Sequence, residues 1–245
     1  MQTLALKTSI KASLQRQVVH WHQAASRLSA LDHLASGHAW HGVDRKMGES
    51  LRASLLRSVD EVVKNAANLM GILENANEPD ELRAVKRGVT ALRDKYLKAE
   101  ETIHFYTVAL NSRTTANISA LLRACDILCE KSMQELLQPL GKSTPEVLTY
   151  IEKGVGASIL KAGLRLWDGN ISPVAAIKIT QHNLFRPTAI IHETGHQVAH
   201  ITGWTEELAE ALLRNLNNHP EVVGQATSKW ASEIAADAFA FVHTG

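Results

Sequence analysis

Five consecutive residues, His192-Glu193-Thr194-Gly195-His196, have the types and spacing that metal-assisted hydrolysis needs. On a helix, positions i and i+4 differ by about 40° in azimuth and ~6 Å in rise, so the two imidazoles lean toward one point. Two nitrogen ligands of a tetrahedral zinc need that geometry. Glu193 falls about 100° round the same helix, beside such a metal rather than on it. A carboxylate there can act as general base toward a water. Gly195 presents no side chain at this flank, so another segment of chain can approach closely.

Two histidines do not complete a zinc shell, and a third ligand is expected elsewhere. Far downstream, Glu233-Ile234-Ala235-Ala236-Asp237 is the one Glu-x-x-x-Asp in the chain, again an i, i+4 pair on one helix face. Glu233 is the expected third ligand. Asp237, one turn on, is expected to accept a hydrogen bond from the outer nitrogen of His192, which fixes the tautomer and raises ligand basicity.

Together His192, Glu193, His196, Glu233 and Asp237 resemble the pattern of the gluzincins, the thermolysin-like zinc metallopeptidases, over roughly residues 145–245. The resemblance implies a Zn2+ cofactor, a catalytic Glu193, a supporting Asp237 and a peptide or protein substrate. It also implies that a sheet edge strand binds substrate backbone as an added strand. The candidate is Val174 to Thr180, with Ala176, Ile177 and Lys178 facing the substrate. Such enzymes place a Tyr or His near the developing oxyanion. No Tyr follows Tyr150, and His219 and His243 are both left unassigned. The chain stops eight residues after Asp237, which is abrupt for this class, and a zincin-like domain truncated at its C-terminus is the expectation.

Other residues compete for the same roles. His200 extends the run to HExxHxxxH but lies ~12 Å up the helix from His192, too far for one ion. Glu206, Glu207 and Glu210 could replace Glu233, although acidic residues in a first helical turn also suit the helix dipole. His20, His22, His33, His38 and His41 crowd the first connection, where solvated or capping roles are expected.

The elements that position these residues follow from periodicity. From Leu82 the apolar positions Val85, Val89, Leu92, Tyr96, Ala99, Ile103, Tyr106 and Leu110 alternate steps of three and four, a heptad seam. Similar stripes run from Leu14 to Leu31, from Leu51 to Leu73 and from Ile118 to Leu136. Short breaks separate the later stripes, which predicts an antiparallel up-down four-helix bundle over residues 1–140. Helix breakers at Pro139-Leu-Gly141 mark the boundary with a second domain, 141–245. There Thr144-Pro145-Glu146 predicts a helix ending at Gly154. Leu164 to Trp167 and Val174 to Thr180, separated by the turn-like Asp168-Gly169-Asn170, predict two adjacent strands. Pro187 opens the helix that carries the HExxH, and Gly203 closes it near Thr202. A helix follows Thr205, broken at Asn217-Asn-His-Pro220, and the last begins near Ser228. The fold class is thus mainly α with a small β-sheet (α+β).

Composition narrows the function classes. At 245 residues with 45% hydrophobic and 21% charged residues the chain is an ordinary globular one, so disorder over most of its length is excluded. No apolar run approaches the ~18 residues of a spanning helix. Lys and Arg number 26 against 25 Asp and Glu, which gives no global basic field for nucleic acid. Cys125 and Cys129, at i, i+4, suit core thiols better than a bridge. The acid-free N-terminus up to Asp32 lacks a compact apolar core with a cleavage site, so a secretory signal is not expected and the cytoplasm is the default location, non-classical export aside. The leading expectation is a zinc-dependent metallopeptidase whose helical bundle is available to a protein partner. The other reading is a helical interaction or scaffold protein with a structural or vestigial zinc site, or a delivered effector that docks through the bundle.

Overall fold

The computed structural model describes residues 2–216, 227 and 229–245, with side chains from residue 6 onward. Its helices are α1 (Gln2–Leu28), α2 (Leu31–Leu34), α3 (Gly37–His41), α4 (Arg45–Asn75), α5 (Pro79–Asn111), α6 (Ala116–Leu137), α7 (Pro187–Thr202), α8 (Trp204–Leu216) and α9 (Ala231–Thr244). Three strands lie between α6 and α7: β1 (Val147–Ile151), β2 (Ser158–Leu160) and β3 (Ala175–Ile179). The protein is thus mainly helical with a small sheet, as expected. The break at Asn217 to Pro220, the helix start near Ser228 and His219 lie outside the described residues. Among the described residues no helix is long and apolar enough to cross a membrane.

The chain divides into two compact units. The first comprises residues 1–37, 48–108 and 165–170. Its core is the set of apolar stripes read from sequence: Leu14, Val18 and Ala25 of α1, Val62, Ala66, Leu69 and Leu73 of α4, and Leu82 through Ala99 of α5. Every seam position of α5 from Leu82 to Leu110 is buried. The amino group of Lys11 on α1 donates to the carbonyls of Glu74 and Ala76 at the far end of α4 (2.7 and 3.1 Å), so these two helices run antiparallel. Trp21 of α1 packs on Tyr96 of α5 with ring centroids 5.2 Å apart. The Tyr96 hydroxyl donates to Glu100 at 2.7 Å, and burial, then that carboxylate, push the phenol up to about 12. At the start of α5, Glu81 accepts the amides of Glu78 and Asn77 at 2.8 and 2.6 Å, which satisfies amides that have no partner within the helix. These two bonds hold its carboxyl below the ordinary range.

The bundle expected over 1–140 is a three-helix arrangement in this unit, and α6 belongs to the second, which comprises residues 38–47, 109–164 and 171–245. The reason is the occupant of the α6 stripe. Leu122, Cys125, Cys129, Met133 and Leu137 pack with Val147, Ala175, Ile177 and Ile179 of the sheet and with Ile190, Ile191 and Val198 of α7. An amphipathic stripe states that a face is buried, and not what buries it. Both cysteines are free and buried there, and burial raises both thiols.

The sheet order is β1-β3-β2, with β1 parallel and β2 antiparallel to β3. Two strand expectations change. The segment after Pro145, expected as a helix, is β1. Its sequence Val-Leu-Thr-Tyr-Ile is rich in β-branched and aromatic residues, and its pairing with β3 along the full five-residue register outweighs the helix-start signal. Leu164 to Trp167 is not a strand of the sheet. The Leu166 amide instead donates to the Asn170 carbonyl (2.8 Å) across a tight turn in which Gly169 takes φ 90°. Residues 165–170 belong to the first unit, where Trp167 meets Phe105 and Asp168 accepts a hydrogen bond from Ser58.

The outer edge of β1 is closed by a buried polar cluster. Asp126 of α6 accepts the Thr149 amide at 2.8 Å, and Glu130 accepts that of Val147 at 3.2 Å. Arg113, fully buried, donates to Asp126 (2.7 Å), to the Thr149 carbonyl (2.6 Å) and to the Gly42 carbonyl (3.0 Å). A guanidinium out of water needs such a set of acceptors, and the Asp126 carboxylate supplies the opposite charge.

Candidate metal centre

Helix α7 forms where the sequence places it. Pro187 occupies its first turn after Arg186 in extended conformation, and Gly203 ends it with φ 75°. Unlike a surface helix, α7 is buried through most of its length, from Ile190 to Ala199 apart from His192. It packs against α6, β2 and β3 on one side and α9 on another.

The approach of α9 is made at Gly195. A Cβ on that residue would lie 2.8 Å from Ala236 Cα, 3.0 Å from Phe239 Cβ and 3.1 Å from the Ala236 carbonyl oxygen. Backbone meets backbone there, and the absence of a side chain sets the distance between the helices. Because α9 is so close, Glu233 reaches the HExxH. His192, His196 and Glu233 each offer a ligand atom, and the three atoms lie within 4.8 Å of one another. Glu233 Oε2 is 3.3 Å from His192 Nε2, and Oε1 is 3.6 Å from His196 Nε2. A tetrahedral site with metal–ligand bonds of about 2.0–2.1 Å has ligand–ligand edges of about 3.3–3.4 Å.

The outer nitrogens explain why the inner ones are available. The Nδ1–H of His192 donates to Asp237 Oδ1 at 2.8 Å, as expected from the i, i+4 spacing of Glu233 and Asp237. Nδ1 of His196 is 3.1 Å from Ser232 Oγ, a partner the sequence reading missed although it adjoins Glu233. Each imidazole is contacted at its outer nitrogen, which leaves its Nε2 on the Glu233 side. Two imidazole nitrogens and a carboxylate oxygen within reach of one point are a donor set that could hold a divalent metal of the zinc type. Burial, the largest influence, depresses the His196 imidazole below the ordinary histidine value, which favours the neutral form a ligand requires.

Glu193 is buried one position from the ligand face, and its carboxylate makes no hydrogen bond among the described residues. Burial, the largest influence, raises its carboxyl above the ordinary value. A carboxylate desolvated in this way has an increased affinity for a proton. On the α9 side a cleft of about 490 Å³ is lined by His192, Thr227, Trp230, Glu233, Ile234 and Asp237, so the cluster opens to solvent.

Other sequence candidates fall outside this cluster. His200 is exposed further along α7, and Glu206, Glu207 and Glu210 lie on α8, where Glu210 pairs with Arg214 at 2.8 Å. His243, at the far end of α9, faces Glu135 at 3.6 Å and packs on Phe239. His33, His38 and His41 are exposed, and no second metal-type cluster occurs among the described residues. The strand assignment for substrate needs correction. Ala176, Ile177 and Lys178 lie on β3, the middle strand, whose two edges are taken by β1 and β2. The far edge of β1 is closed by Asp126 and Glu130, and among the described strands the other edge of the sheet is that of β2.

No protein-family model, no curated protein and no solved structure matches this chain.

Proposed function

We propose that the protein is a zinc-dependent metallopeptidase. The observation that carries this reading is the convergence of two imidazoles and a carboxylate on one point, with a buried, unpartnered Glu193 beside it. His192, His196 and Glu233 would hold the ion. When bound, zinc supplies Lewis acidity, which polarises a carbonyl and acidifies water. Three protein ligands support a catalytic centre over the structural alternative, because a structural site is closed by a fourth, and among the described residues none joins.

The chain's own residues supply the remaining functions. Asp237 and Ser232 orient the imidazoles through their Nδ1 atoms. The Glu193 carboxylate takes a proton from the attacking water and returns it to the leaving amine nitrogen. The outer edge of β2, the strand at one side of the sheet, would align an extended peptide by strand addition. Position on α7 links these two parts, because the helix that bears Glu193 packs on β2 and β3.

Glu193→Gln tests the reading directly. The variant should retain one equivalent of zinc by elemental analysis and lose hydrolysis of a peptide library by about 10²-fold or more. Undiminished cleavage by this variant would remove the assignment of Glu193 as the base.

A further inference from the structure

Helices α1 and α5 of the helical unit run in the same direction. Leu6 and Ile10 of α1 lie by Pro79 and Leu82 at the start of α5, and Trp21 lies by Tyr96 further along both. Since α4 is antiparallel to α1, an up-down bundle of four would place its last helix in the groove between α1 and α5. We propose that this groove docks a helix of a partner protein, amphipathic and acidic, which completes a four-helix bundle with α1, α4 and α5. The proposal stands apart from the metal centre, which belongs to the other unit.

Three observations carry it. The first is the shape of the groove. Two cavities of about 460 and 410 Å³ follow each other between the helices, and their lining runs from Leu6 to Trp21 on α1. That stretch is ~22 Å of helix, or about four turns. Leu6 and Ile10, one turn apart, are 63% and 43% exposed there, and the buried Leu14 and Leu82 line the same cavity. Exposed apolar side chains in a groove are the anchors that an amphipathic helix uses.

The second is the spacing of the lining. On α1 it includes Leu6, Ile10, Ser13, Gln17 and His20, and on α5 Pro79, Leu82, Lys86, Val89 and Arg93. Steps of three and four recur on both helices. With that period a further helix can seat its side chains between those of the two walls. A long groove of helical period fits a helix better than it fits a flat lipid surface.

The third is charge. Lys7, Arg16, Arg83, Lys86 and Arg93 line the two cavities, and no carboxylate among the described residues does. Arg83 pairs with Asp80 at 2.5 Å and Arg93 with Asp94 at 3.3 Å, on exposed positions. Arg16 and Lys86 are exposed and make no ion pair among the described residues. Helix α1 contains no acidic residue over its whole length. A helix with Asp or Glu beside its apolar stripe therefore meets opposite charge on both walls, and one with Lys or Arg there meets like charge.

The test uses the full chain and a fluorescein-labelled peptide of three heptads, with Leu at the a and d positions and Glu at e and g, whose own charges oppose self-association. Fluorescence anisotropy should show saturable binding of one peptide per chain, weakened by salt. The same peptide with Lys at e and g should bind about tenfold or more weakly. Arg16→Glu combined with Lys86→Glu should invert this preference, and Arg16→Gln combined with Lys86→Gln should reduce it. Ile10→Gln should weaken binding of the Glu peptide about tenfold. The substituted positions are exposed, so circular dichroism should show unchanged helical content. Equal affinity for the two peptides, binding of neither, or a preference that survives substitution at 16 and 86 would overturn the proposal. Binding to vesicles of phosphatidylcholine and phosphatidylserine by a chain that takes up neither peptide would overturn it in favour of a lipid surface. None of these readouts depends on peptide hydrolysis or on a metal, so the proposal and the peptidase reading stand or fall separately.

Discussion

The two units bury different kinds of side chain. In the helical unit the interior is mostly Leu, Val and Ala at three-four spacing, with Ile103 and two tyrosines, and the small polar groups that reach it are neutral hydroxyls such as Ser54, Ser58 and Thr102. In the mixed unit the interior also holds Arg113, Asp126, Thr149, Glu193, His196 and Gln197. Apolar stripes tolerate exchange of one residue for another of similar volume, because the hydrophobic effect has no direction. Buried charges and amides need a particular partner at a particular distance. The first unit should therefore respond to substitution gradually, and the second should fail where a single partner is lost.

The largest effect is expected at the buried ion pair. Asp126→Ala leaves the Arg113 guanidinium without its counter-charge and the Thr149 amide without an acceptor. A loss of about 3–5 kcal/mol is expected. Hydrogen exchange should show it locally, as lost protection in β1 and α6 while the seam of α5 stays protected. Uniform loss across both units would erase the contrast between them.

Next comes the helix contact that builds the site. Gly195→Ala places a methyl group against the Ala236 backbone, which cannot rotate away, and should cost about 1–3 kcal/mol. The same shift moves Glu233 from the imidazoles, so zinc affinity should fall together with thermal stability. Zinc titration at unchanged affinity would show that α9 can retreat without carrying its carboxylate.

A smaller effect is expected behind the ligands. Asp237→Ala removes the acceptor for His192 Nδ1 from a largely exposed position, so the fold should be little changed. Zinc affinity should fall about 10- to 100-fold in a competition assay with a chromogenic chelator. An unchanged affinity would leave His192 oriented by packing alone.

The smallest effect has the opposite sign. Gly71 lies inside α4, and a Cβ added there would meet nothing within 4 Å. Gly71→Ala should therefore stabilise the helical unit by about 0.4–1 kcal/mol in urea denaturation, through the unfolded chain's lost freedom. Set beside Gly195→Ala, it separates a glycine that costs stability from one that a tertiary contact requires.

Much of the fold and of the site is legible in residue order. The seam of α5 appears in sequence as an unbroken alternation of three and four, and every one of its positions is buried. Pro187 and Gly203 mark the ends of α7, and the i, i+4 pairs on α7 and α9 place both imidazoles and both carboxylates on single helix faces. What is not legible has long-range causes. The residues of β1 read as a helix start because the parallel partner that stabilises the strand lies 28 positions later in register, at Ala175 opposite Val147. β3 reads as an edge because an alternating strand pattern reports which face is buried and carries no sign of a neighbour on either side. Asp126 gives no signal beyond a charge beside the apolar stripe of α6.

The sequence by itself determined the local periods: which residues share a helix face, where the breakers stand, and which pairs could act as ligands. Only the tertiary structure decided which faces meet. It sent the α6 stripe to the sheet, put β3 between two partners, and let α9 close on Gly195 so that Glu233 faces two imidazoles 37 or more residues earlier in the chain. Helix periodicity is set by bonds between near neighbours, whereas the meeting of distant faces is set by shape and by partners that no local window contains.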